Sequence, residues 1–108
     1  MTSKLVNYTS FLLKKKNMEF QFIKNIQFTR LVKAEGRLRE FNFRKFSGEE
    51  GELMFSIDVA DDRGNRIIFR MKKEDAGWKI VPGKWPAWVI SNEQIFNELI
   101  EQELRQAS

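Results

Sequence analysis

Apolar and polar residues alternate along the first part of the chain in the manner of β-strands with one buried face. Between residues 19 and 34, six of the eight even-numbered positions are apolar, and the two exceptions are Lys24 and Arg30. This period of two predicts one long strand, or two strands broken near Lys24. Glu35-Gly36 then provides a tight turn, because glycine tolerates a positive φ.

The alternation continues through the middle of the chain. Residues 37–46, 52–60 and 66–72 are each predicted to form a strand, and Trp78 to Val81 a short fifth one. Polar segments with glycine separate them, as is typical of hairpin turns. The residues expected to face inward in the two clearest strands are Leu53, Phe55, Ile57, Val59, Ile67, Phe69 and Met71.

The last quarter of the chain changes to helical spacing. Pro82 to Trp88 is predicted to be irregular, because two prolines and a glycine interrupt it. Ser91 has the character of a helix N-cap, with Gln94 completing a capping box, and a helix is expected from Asn92 to about Gln106. Its apolar residues are Ile95, Phe96, Leu99, Ile100 and Leu104.

These elements predict an α+β fold, in which an antiparallel β-meander of four to five strands carries one C-terminal amphipathic helix packed on one face. Residues 18–108 are expected to form this single domain, and residues 1–17 an N-terminal arm. The apolar part of the arm, residues 5–13, is shorter than the roughly 20 residues that span a bilayer. One lysine, Lys4, precedes this stretch and three follow it, which is the wrong order for a signal peptide. We therefore expect a cytoplasmic protein without a membrane segment.

The amino-acid composition excludes several kinds of catalytic and metal site. The 108 residues include no cysteine and no histidine, which excludes disulfides, thiol nucleophiles, thiolate or imidazole metal sites and histidine general bases. Carboxylates gather at two turns, around Glu49 to Glu52 and around Asp58 to Asp62, without the spacing of a calcium-binding loop. We therefore expect a non-enzymatic protein with no catalytic residue, no metal and no cofactor.

The net charge of +4 is unevenly distributed. Residues 1–46 carry eleven basic and three acidic residues, and residues 47–108 carry eight basic and twelve acidic ones. A basic half can attract phosphates or an acidic surface. The interpretation that we favour is that the two halves partly neutralise each other, within the fold or across a symmetric dimer.

Basic and aromatic residues interleave in the second strand and suggest single-stranded nucleic-acid binding, in which cations follow the backbone and aromatic planes stack bases. In the opposing interpretation Phe41 and Phe43 belong to the core. The candidate nucleic-acid residues are Arg37, Arg39, Phe41, Phe43, Lys45, Arg66, Arg70 and Lys72.

Two further features suggest a binding function. Trp85 and Trp88 are candidate ligand- or partner-binding residues in a proline-containing loop, or else a lid over the core. The long first strand would leave an unpaired sheet edge, and edge-to-edge pairing would give a homodimer unless the N-terminal arm covers that edge.

A resemblance supports the nucleic-acid interpretation. Pro82-Gly83-Lys84, then Ile90 to Gln94, then the amphipathic helix resemble the end of the transcriptional positive-coactivator domain, a Whirly-like single-stranded nucleic-acid binder with four strands followed by a helix. Trp85 to Trp88 depart from that pattern. Gly77 to Val81 also resemble a late strand of cystatin-like or nuclear-transport-factor-like folds, which place a long helix before the sheet.

The sequence thus favours a small interaction domain that forms a homodimer and binds an unidentified macromolecule. Whirly-like binding of single-stranded nucleic acid is the first alternative. A small-ligand pocket near Trp85 and Trp88 is the second.

Overall fold

Tight antiparallel hairpins organise the part of the chain that the computed structural model describes, residues 25–107. The elements are β1 (Gln27–Ala34), β2 (Arg37–Ser47), β3 (Leu53–Ala60), β4 (Arg66–Glu74), β5 (Gly77–Ile80), α1 (Ala87–Ile90) and α2 (Glu93–Ala107). The strands form one antiparallel sheet in the order β1-β2-β3-β4-β5. The α+β meander is therefore confirmed. The predicted arm and residues 18–24 lie outside the described residues.

The turn between β1 and β2 illustrates how local sequence sets the register. Glu35 and Gly36 both have positive φ values, 56° and 79°, as a two-residue type I′ hairpin requires. Ala34 consequently pairs with Arg37, and Phe28 with Phe43. This register places the apolar residues of β1 and β2 on one face of the sheet.

Helix α2 covers that inner face, and aromatic rings form the centre of the core. The Phe96 ring lies 5.0 Å from Phe41, 6.1 Å from Phe43 and 5.6 Å from Phe69, measured between ring centroids. Ile100, one turn further along α2, is also fully buried. The inward positions predicted for β3 and β4 are confirmed at the centre of the strands, whereas Leu53, at the first residue of β3, is 37% exposed.

The region before α2 differs from the prediction. Residues 87–90 form the short helix α1, and Ser91 is its C-cap rather than the N-cap of α2. Helix α2 begins at Glu93, and the Asn92 carbonyl accepts the Phe96 N–H at 3.0 Å. Pro86 is compatible with a helix start because its fixed φ suits that position. Ile95 was expected on the apolar face, but it is 43% exposed.

Side chains of α2 close the β5 edge of the sheet. The backbone N–H of Trp78 donates to Asn97 Oδ1 at 2.7 Å, and the backbone N–H of Ile80 donates to Glu93 Oε2 at 2.8 Å. Gly77 permits this approach, since its φ is 129° and a Cβ there would lie 2.8 Å from Asn97 Oδ1. These bonds satisfy donors that would otherwise be free to pair with another strand.

The ion pair between Lys73 and Glu101 joins β4 to α2 and makes the free energy of unfolding depend on pH. The hydrogen bond from Lys73 holds the pKa of Glu101 below its usual value of 4.5, against an opposing effect of desolvation. A carboxylate with a lowered folded-state pKa contributes stability above its unfolded pKa and loses it as the pH falls through the folded pKa. This contribution is therefore complete at neutral pH and declines below pH 4.5.

We expect Glu101→Gln to lower the free energy of unfolding at pH 7 by less than about 1 kcal/mol, because both side chains are partly solvated. In urea unfolding at a series of pH values, the difference between the two proteins should shrink steadily below pH 4.5. A difference that is unchanged in strong acid would contradict this origin.

Candidate functional site

The two tryptophans of the proline-containing loop pack against the core. The Trp85 indole N–H donates to the Val81 carbonyl at 2.9 Å, and its ring lies 6.2 Å from Phe69. The Trp88 ring lies 6.4 Å from Phe41 and carries the Arg39 guanidinium 4.4 Å above its centroid. This placement agrees with a lid over the core.

A cavity of about 270 Å³ lies beside Trp88 and is lined by the β3–β4 loop and Arg39. Asp61 organises that loop, because its Oδ1 accepts the N–H groups of Arg63 and Asn65 at 2.9 and 2.8 Å. Desolvation raises the pKa of Asp61, but these hydrogen bonds outweigh it and hold the pKa below its usual value. The Asp61 carboxylate is thus engaged within the loop, and Asp62 is paired with Arg39.

The predicted nucleic-acid residues do not form one surface. Phe41 and Phe43 are 0% and 1% exposed beneath α2, so neither ring is available to stack a base. Among the cations, Arg39 is buried on that same inner side, while Arg66, Arg70 and Lys72 are exposed on the opposite face. Arg37 lies exposed beside the first turn, and Lys45 is half-buried.

The register of β2, β3 and β4 explains why the predicted nucleic-acid residues lie on different faces of the sheet. Across the sheet, the even-numbered Arg44 pairs with Ser56, which in turn pairs with Arg70. Even positions of β2 therefore share a face with even positions of β4, whereas the predicted set combined odd positions of β2 with even positions of β4.

Among the described residues, the open edge of the sheet, meaning the edge that has no strand partner and is not closed by side chains of α2, is that of β1. The Ile26 carbonyl accepts the Lys45 N–H. The backbone N–H and C=O groups of even-numbered β1 residues therefore point toward β2, and those of odd-numbered residues point away from it. Two outward carbonyls are bonded by side chains: Arg30 donates to the Thr29 carbonyl at 2.9 Å, and Asn92 to the Lys33 carbonyl at 3.3 Å. Within residues 25–107, no strand pairs with this edge.

Two leucines lie beside this open edge on the outer face of the sheet. Leu31 is 64% exposed and Leu38 is 61% exposed. Lys33 pairs with Leu38, and Leu31 with Glu40, which makes the two leucines diagonal neighbours across the hairpin.

The outer face carries two contrasting polar rows. In the first, the Thr29 hydroxyl donates to Asn42 Oδ1 at 2.7 Å, and Asn42 Nδ2 donates to Asp58 Oδ1 at 3.0 Å. Arg66 also donates to Asp58, at 3.0 Å, which completes a chain of hydrogen bonds across four strands. The neighbouring row consists of Gln27, Arg44, Ser56 and Arg70.

That second row contains two exposed cations, Arg44 and Arg70. No hydrogen bond or ion pair joins the Arg44 or Arg70 guanidinium to any other described residue. A groove of about 550 Å³ lies over this part of the face, with Gln27, Thr29, Asn42, Arg44, Ser56 and Asp58 in its lining. Arg44 and Ser56 are absent from the predicted set, and the β2–β3 and β3–β4 turns fix the register that places both on one face with Arg70.

Neither a metal-binding cluster nor a membrane-spanning helix occurs among residues 25–107. The described residues hold no group of three or more histidine, cysteine, aspartate or glutamate side chains placed to bind a metal ion. No helix among them has both the length and the apolar character needed to cross a membrane.

Comparison of the chain with protein-family models, with curated proteins and with solved structures gave no match.

Proposed function

We propose that this protein is a non-enzymatic interaction domain that forms a homodimer by antiparallel pairing of β1 with β1 of a second copy. The observation that carries the proposal is the contrast between the two sheet edges. Side chains of α2 close the β5 edge, while the β1 edge has no strand partner among residues 25–107. Proteins that must stay monomeric usually protect both edges.

A second copy fits the open edge in both charge and apolar character. A two-fold axis normal to the sheet beside Leu31 would place Leu31 opposite its own copy and Thr29 opposite Lys33. Arg30 would then face Val32, so that no cation lies directly opposite another. The same axis keeps the outer faces of both sheets on one side, where Leu31 and Leu38 of the two chains would form a continuous apolar stripe.

The remaining backbone groups suit this arrangement. The outward N–H groups of β1 would donate across the interface, and a carbonyl that already accepts one side-chain bond retains a second lone pair. Strand pairing would remove Leu31 and Leu38 from water at the same time, which favours association.

Size-exclusion chromatography with light scattering tests the proposal on the full chain. The wild type is expected to have twice the chain mass of 12.9 kDa. Leu31→Lys should give the monomer mass, because two added cations would meet at the axis. Thr29→Pro should act likewise, since it removes an outward N–H at an edge position where proline is tolerated.

Ile68→Lys is the matched control. Ile68 is 57% exposed on the same face but lies on β4, away from the edge, so this variant should remain dimeric. A wild type that is monomeric at high concentration would overturn the proposal, and residues 1–24 would then be the candidate cover for the edge. A dimer that survives Leu31→Lys and Thr29→Pro would place the interface elsewhere.

A further inference from the structure

The two polar rows of the outer face differ in whether their side chains hydrogen-bond to one another. The row of Thr29, Asn42, Asp58 and Arg66 is internally hydrogen-bonded, so its cation is neutralised in place. The adjacent row presents Arg44 and Arg70 on either side of Ser56, all on the face of the sheet opposite α2. Two guanidinium groups without a bonded described partner therefore flank a hydroxyl.

Strand geometry brings these groups within reach of one anion. Neighbouring strands lie about 4.8 Å apart, so the Arg44 and Arg70 backbones are separated by roughly 10 Å with Ser56 midway. Both side chains are long enough to converge above the serine. Guanidinium groups bind phosphate oxygens in a bidentate manner, and the serine hydroxyl can donate a further hydrogen bond.

We propose that this face binds the phosphate group of a small polar phosphate monoester, with Arg44 and Arg70 as the anion clamp and Ser56 as the third donor. The groove beside the clamp has the size of a small-molecule site. The Gln27 amide lines it, and the Thr29 hydroxyl oxygen and the Asn42 amide can each form a hydrogen bond beyond those within their row. The site lies on the face of the sheet, so it does not depend on the proposed pairing of β1 edges.

The surrounding charge selects a compact anion over a nucleic-acid strand. Residues 25–108 contain 14 basic and 14 acidic residues, so this part of the chain carries no net positive charge to attract a polyanion. Asp58 lines one side of the groove. On the other side, Arg70 shares a second groove with Glu49, Glu50 and Glu52. A phosphodiester chain would meet these carboxylates in both directions, whereas a single phosphate between the arginines would not.

Nuclear magnetic resonance titration of the full chain with inorganic phosphate, at constant ionic strength, tests this inference. We expect the largest shifts at the Nε–H signals of Arg44 and Arg70 and at the Ser56 amide. Arg44→Gln and Arg70→Gln should each weaken phosphate affinity by about tenfold or more, as expected for the loss of a charge-assisted hydrogen bond. Ser56→Ala should weaken it by a smaller factor.

Arg63→Gln is the matched control, because it removes the same charge from the exposed β3–β4 loop and should leave phosphate affinity unchanged. Leu31→Lys should also retain phosphate binding, which separates this site from the dimer interface. Shifts that are absent at Arg44 and Arg70, or an equal loss of affinity in Arg63→Gln, would overturn the assignment.

A mixed-sequence single-stranded oligonucleotide forms the second arm. It is expected to bind weakly and to lose no more affinity in Arg44→Gln or Arg70→Gln than in Arg63→Gln. Tight, steeply salt-dependent binding that requires Arg44 and Arg70 would instead identify a nucleic-acid face and overturn the compact-ligand assignment.

Discussion

Replacing Phe96 with alanine is expected to lower the free energy of unfolding by about 3–5 kcal/mol. Phe96 is fully buried, and its ring contacts Phe41, Phe43 and Phe69 from the side of the helix. The three partners sit on strands held by backbone hydrogen bonds, so they cannot move inward to fill the space that the ring leaves. Since small domains have about 5–15 kcal/mol of stability in total, this one change should bring the protein close to unfolding.

Urea unfolding followed by tryptophan fluorescence measures this loss. Ile95→Ala is the control, because Ile95 precedes Phe96 on the same helix but is 43% exposed. It should change stability by less than about 1 kcal/mol. Similar losses in the two variants, or a loss below about 1 kcal/mol for Phe96→Ala, would show that α2 does not anchor the core as described.

The elements of this fold could be predicted because each depends on a local signal. Period-two alternation marked β3 and β4, and glycine placed the first turn, whose geometry then sets the pairing of β1 with β2. The helical spacing of Phe96 and Ile100 likewise predicted the inner side of α2. The prediction that Ile95 belongs to the buried side is wrong, because a helix packed on a sheet buries a narrower stripe than its apolar residues cover.

The sites were harder to predict because they depend on register and on contacts distant in sequence. Which residues of β2 and β4 share a face follows from the lengths of two intervening turns, and the basic–aromatic pattern within each strand does not contain that information. Closure of the β5 edge by Asn97 and Glu93 joins residues 19 and 13 positions apart. The contrast with β1, from which the proposed dimer follows, therefore becomes visible only in the folded chain.

Arg39 is a cation whose burial the strand pattern does not predict. The pattern made it a candidate for binding nucleic acid, but the fold buries it. Its side chain is 5% exposed and lies over the Trp88 ring, 4.4 Å from the centroid. The Nε group donates to the Ala34 carbonyl at 3.2 Å, and one guanidinium nitrogen lies 3.0 Å from Asp62 Oδ1. A buried arginine is tolerated because its donors are engaged in this way.

We expect Arg39→Ala to lower the free energy of unfolding by about 2–4 kcal/mol, through loss of a desolvated cation–π contact and of charged hydrogen bonds. Arg37→Ala is the matched control, because Arg37 lies on the same strand and contacts the same Asp62 oxygen at 3.1 Å, but its side chain is 65% exposed. An exposed ion pair contributes little, so this variant should lose less than about 1 kcal/mol. The comparison separates burial from charge, since both variants remove one guanidinium from one carboxylate. If urea unfolding gave equal losses of free energy for the two variants, the stabilising effect of Arg39 would come from the ion pair with Asp62 and not from the contact with Trp88.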